Sequence, residues 1–164
     1  SDAMEAVFVR YGTQPVPVKG VYGSAYAGDS RYQQVLDGVA AVSRRLDLRC
    51  AAGKPTFVVG MHSYTPVYKG VARPWHAGVL YAAATEFAGH LMQALAQEEG
   101  LVIGDNEPYR IDHDDYTVPV HGDARGLPAL LIEVRHELIA SAEGVAEWAE
   151  RLERCLRLTV DAMA

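Results

Sequence analysis

Four short apolar runs, separated by segments of helical periodicity, constrain this chain more than any other feature of its sequence. Residues 55–61, 77–81, 101–103 and 130–134 are too short for helices, and turn residues bound them. Such runs read as buried strands. Residues 30–49, 85–98 and 143–163 instead repeat apolar side chains at helical spacing. The first segment has Asp29 or Ser30 as a cap and a stripe of Tyr32, Val35, Leu36, Val39 and Leu46. The second turns Phe87, Leu91 and Leu95 inward. The third turns in Trp148, Leu152, Cys155, Leu156 and Thr159, leaving Glu147, Glu150, Arg151, Glu153, Arg154 and Arg157 on a solvated face. Helix alternating with strand predicts an α/β sandwich with helices on the sheet faces.

Residues 5–9 are expected to add a short strand, and 11–29, with glycines and Pro15 and Pro17, an irregular stretch. Ser1-Asp2-Ala3 ahead of Met4 reads as a leftover of expression, which makes Met4 the natural start and residues 4–164 a single domain. The net charge of −6 argues against a nucleic-acid binder, which needs a basic face. No apolar stretch is long enough to span a membrane and no signal peptide is visible. Cys50 and Cys155 form no C-x-x-C pair, so both are expected as reduced thiols in a cytoplasmic protein.

Three polar clusters fall where strands of such folds end, the usual place for ligands. They are His62-Ser63-Tyr64-Thr65-Pro66, residues 105–109 (Asp-Asn-Glu-Pro-Tyr), and Glu133-Val134-Arg135. Each has a purely structural reading. His62 could cap a loop, residues 105–109 could be only a turn, and Glu133 and Arg135 could be an ion pair at a sheet edge. Together they gather a histidine, a carboxylate and arginines at one sheet edge, which suits a site.

From these residues onward the sequence resembles the N-formylglutamate amidohydrolase family. The resemblance rests on five blocks in the family's order and spacing. They are residues 62–80 from His62 through Arg73-Pro-Trp-His76, residues 104–109, residues 115–117 with His121, residues 125–128, and residues 132–135 with Leu138-Ile139. It implies a zinc-carboxypeptidase-like fold, a three-layer α/β/α sandwich with a mixed, mainly parallel sheet. The implied reaction is hydrolysis of the amide of an N-acyl amino acid, N-formyl-L-glutamate to formate and L-glutamate, as part of histidine catabolism.

By the same resemblance His62 is a zinc ligand, and Glu133 is the general base for a zinc-activated water. Arg73, Asn106 and Arg135 hold substrate carboxylates or the developing oxyanion, and Tyr109, His121 and Ser63 line the site. Zinc and an acidic small-molecule substrate are the implied cofactor and partner. The chemistry is coherent, because zinc gives a nucleophile near neutral pH and arginine forks bind carboxylates. The family's other two ligands, a histidine and a carboxylate, come from an N-terminal segment, whereas the first histidine here is His62. His76, His113 and His121 are the remaining histidines that could substitute. The alternative reading is a shortened, catalytically inactive relative that binds a small acid or a protein. A shortened sheet would also leave a face or edge uncovered, favouring a homodimer.

Overall fold

The computed structural model describes residues 30–112 and 115–164, so the expected strand at 5–9, the irregular stretch at 11–29 and His113 lie outside the described residues. The chain divides into two compact units, Ser1–Thr56 and Phe57–Ala164. In the first, helix α1 spans Ser30–Ala51. Leu46 is buried and Leu36 and Val39 are half-buried, the stripe expected from the sequence. Gly53 follows at φ +63°, a conformation glycine adopts without strain. Arg49 then ties the exit down, donating from Nε to Thr56 Oγ1 (3.0 Å) and from Nη2 to the Pro55 carbonyl (2.8 Å).

The second unit is built on a mixed sheet. Its strands are β1 (Val58–Tyr64), β4 (Ala77–Leu80), β5 (Ile103–Asp105) and β6 (Ala129–Arg135), in the order β1-β6-β4-β5. β1 pairs parallel with β6 and β4 parallel with β5, while β4 and β6 run antiparallel. This is the expected α/β architecture with a mixed, mainly parallel sheet. Two helices, α2 (Thr85–Leu95) and α3 (Ala142–Ala162), complete it.

Pleating gives the two faces of β6 opposite characters, because successive side chains alternate sides. Leu130, Ile132 and Val134 join Ala77 and Val79 of β4 in one buried cluster with Phe87, Ala88, Leu91 and Leu95 of α2 and Trp148, Leu152 and Cys155 of α3. Fully burying side chains of this size stabilises by ~1.5–3 kcal/mol each, so this layer holds the unit together. Ser141 caps α3, its Oγ accepting from the Gly144 N–H at 3.1 Å. The charged face of α3 has its expected local pairs, Arg151–Glu147 and Arg157–Glu153, both 2.7 Å. It also reaches across to the turn after α2, since Arg154 and Arg151 both bind Glu98 (2.7 and 3.3 Å).

Several boundaries differ from the sequence expectation. β1 runs three residues further than the apolar run, so His62 and Ser63 stand inside the strand rather than after it. The ladder to β6 continues through them because β1 is an edge among the described residues, where a polar side chain stays in contact with water. β5 is displaced in the same way and includes Asp105. A small hairpin, β2 (Val67–Tyr68) with β3 (Val71–Ala72), was not expected; Lys69 and Gly70 turn it at φ +49° and +80°. Also unexpected is a π-helical turn at Thr117–Gly122. Both cysteines are free, Cys50 exposed and Cys155 buried, and among the described residues no helix is long and apolar enough to cross a membrane.

Candidate functional site

The face of the sheet away from α2 and α3 carries the candidate site residues. In register, His62 on β1 is opposite Glu133 on β6, Glu133 is opposite Gly78 on β4, and Gly78 is opposite Gly104 on β5. Paired residues share a face, so these four positions line a band across the sheet. Its middle is acidic and its far side has no side chains.

The missing side chains make room for a turn. A Cβ on Gly78 would lie 1.8 Å from the Glu107 carbonyl oxygen, and one on Gly104 would lie 2.8 Å from Glu107 Cβ. The segment after β5 therefore folds back directly onto the sheet. Asn106 fixes that turn at φ +51°, a conformation asparagine tolerates better than most residues. Its backbone N–H donates to the Val79 carbonyl and its Oδ1 accepts from the Tyr81 N–H (3.1 Å). Asn106 thus shapes the site, with its amide oxygen already engaged by the backbone. The turn carries Tyr109 to Arg73, whose Nη1 donates to the Tyr109 hydroxyl at 2.9 Å. On the β1 side, Thr117 of the π-helical turn stands near Gly60, and His121 in the same turn is buried, edge-on to Tyr116 at 5.2 Å.

Glu133 is the centre of this band. It is 5% exposed, and its Oε2 is buried with no hydrogen-bond partner among the described residues. Its Oε1 lies 3.8 Å from His62 Nδ1, too far for a hydrogen bond but close enough for both to reach one small group. Desolvation pushes the Glu133 carboxyl up to about 7; Arg73 pulls it down and Asp115 adds to the rise. Partial desolvation lowers the pKa of His62, with Asp115 opposing. Near pH 7 the pair is therefore a neutral imidazole beside a carboxyl poised to gain or lose a proton.

The two arginines assigned together by the sequence do different work. Arg73 is 8% exposed, with its Cζ over the rings of Tyr68, Tyr109 and Tyr64 at 4.7, 4.8 and 5.6 Å. Arg135 pairs with Glu137, and its Nη1 donates to the carbonyls of Arg73 and Pro74 (both 3.3 Å). It ties down the loop that holds Arg73. Glu133 and Arg135 share a face as expected, but on the interior strand β6 and without pairing to each other. The structure does not bring Ser63 to this band. Ser63 is opposite Val134, so it belongs to the other face, and it is exposed there.

Zinc in a catalytic site takes three protein ligands. Among the described residues no group of three His, Cys, Asp or Glu is placed to hold a metal. His76 cannot complete one, because its Nδ1 accepts from the Val102 N–H (3.0 Å) beside β5. The described residues on their own therefore do not fit a zinc centre. Asp115, Tyr64, Tyr68 and Gly78 receive no role from the sequence, although Tyr64 stands in its first polar cluster. All four lie within the family-like blocks, but no period or spacing singles them out.

The model of a family described as N-formylglutamate amidohydrolase matches residues 39–140. No curated protein matches the chain. Among solved structures, the crystal structure of gene product Atu2144 from Agrobacterium tumefaciens is similar, with a TM-score of 0.70 and 27% identity, covering 82% of this chain. The chain spans about half of that one, 55% of its length.

Proposed function

This chain belongs to the N-formylglutamate amidohydrolase family, and we propose that it takes part in hydrolysing the amide of an N-acyl amino acid, N-formyl-L-glutamate in the first instance. The observation that carries this reading is Glu133, a buried carboxyl pushed up to about 7, facing His62 and with one oxygen that has no hydrogen-bond partner among the described residues. Glu133 takes a proton from water as the water oxygen bonds to the formyl carbon. The C–N bond then breaks, and the proton passes to the leaving nitrogen, giving formate and glutamate. Arg73 holds a substrate carboxylate, within electrostatic reach of Glu133. His62 is the described residue that would be a ligand if a zinc ion is held here. Such an ion would polarise the acyl oxygen and lower the pKa of water.

The test is formate release from N-formyl-L-glutamate by the full chain, with metal content measured before and after added zinc. We expect turnover that rises with pH through about 7, as Glu133 ionises. Glu133→Gln should keep any metal and lose ~10²–10⁴-fold in rate, and His62→Ala should lose the metal. Absence of turnover with and without zinc would sink the hydrolase reading. Retained binding of the substrate would then favour the small-acid binding module.

A further inference from the structure

A guanidinium taken out of water is costly unless its charge and donors are answered. Arg73 is more than nine-tenths buried, yet among the described residues no carboxylate lies within ion-pair distance of it. Only Nη1 is used, by the Thr65 carbonyl (3.4 Å) and the Tyr109 hydroxyl (2.9 Å), so the donors on Nε and Nη2 lack acceptors among the described residues. Three tyrosine rings answer part of the charge through their π faces. Two of these are fixed. The Tyr64 hydroxyl donates to the Trp75 carbonyl, and Tyr109 sits on the turn that packs against Gly78 and Gly104. The third, Tyr68, is on the two-residue strand β2 and, like Tyr109, is about half exposed, so its ring borders Arg73 on a solvent-facing side.

We infer that Tyr68 is a specificity-determining residue, confining the free donors of Arg73 so that they accept a flat carboxylate and refuse a tetrahedral anion. This rests on the amide-hydrolysis reading and deepens it by naming what the Arg73 end of the site selects. A bare guanidinium binds carboxylate and phosphate alike through parallel N–H···O bonds. A carboxylate makes both bonds in the guanidinium plane. A phosphonate or phosphate carries a third oxygen out of that plane, into the space the rings occupy. The selecting element is thus the ring of Tyr68 and not its hydroxyl.

Acetate and methylphosphonate are compared at about pH 6, where both are mainly monoanions, so that they differ in a planar against a tetrahedral head. They are titrated at fixed ionic strength against the full chain, following the Arg73 Nε–H resonance, with no turnover involved. The wild type should bind acetate at least about tenfold more tightly, the scale of one lost charged hydrogen bond. Tyr68→Phe should keep that ratio, and Tyr68→Ala should collapse it to about threefold or less by admitting methylphosphonate. Arg73→Lys should weaken acetate by about tenfold. Equal binding of the two probes by the wild type, or an unchanged ratio in Tyr68→Ala with an unchanged melting curve, would overturn the inference. Because no amide is cleaved, a failed hydrolysis assay leaves this result standing, and the reverse also holds.

Discussion

The two faces of β6 are built from alternate residues of one seven-residue strand, yet they obey opposite rules. Leu130, Ile132 and Val134 are fully or almost fully buried in an apolar layer closed by two helices. Glu133, one residue from either Ile132 or Val134, is also buried but has a raised pKa and an oxygen with no hydrogen-bond partner among the described residues. Burial stabilises on the first face and costs on the second. The unit can sustain the second only because the first supplies a surplus of apolar contact, the usual relation between a scaffold and a site.

Substitutions on each face test that relation. Ile132→Ala should give the largest effect, a loss of ~2–5 kcal/mol in urea unfolding, with unchanged turnover per folded molecule. A loss below ~1 kcal/mol would mean that the apolar face is not what holds the strand. Next comes Glu133→Gln, read as stability against pH. The folded protein holds the Glu133 proton at about 7 against an ordinary value of 4.5, so it binds that proton more tightly than the unfolded chain does. The stability this contributes is complete below about 4.5 and is lost as pH rises through about 7. The Gln variant should lack that slope and exceed the wild type above pH 7, on the order of 3 kcal/mol from the size of the shift. Parallel pH curves for the two proteins would show that Glu133 is not desolvated as described. The smallest effect belongs to Ser141→Ala, which removes the α3 cap and should cost ~1 kcal/mol while leaving Glu133 chemistry untouched.

The apolar face was legible in the sequence and much of the polar face was not, for a physical reason. Phe87, Leu91, Leu95, Trp148, Leu152 and Cys155 repeat at helical spacing, and burial follows that period directly. His62, Arg73, Tyr109 and Glu133 come together through a register and a folded-back turn, which no local period encodes. The resemblance to a family named these residues, but it could not separate Arg73 from Arg135, since both are arginines at strand ends. Only the acceptors at 3.3 Å show Arg135 serving the backbone of the Arg73 loop. Ser63 illustrates the converse, because adjacency to His62 in a strand guarantees the opposite face. Tyr68 was hidden in a two-residue strand, too short to carry any pattern.

The position of β6 has a consequence for how the protein is made. It lies between β1 and β4, both of which precede it in the chain, so those two strands have no ladder between them until residues 129–135 arrive. Sheet closure is a long-range event of the kind that folds slowly and leaves strand edges exposed meanwhile. The same event brings Glu133 up to His62. Position 133 therefore comes opposite position 62 in the same late step that closes the sheet.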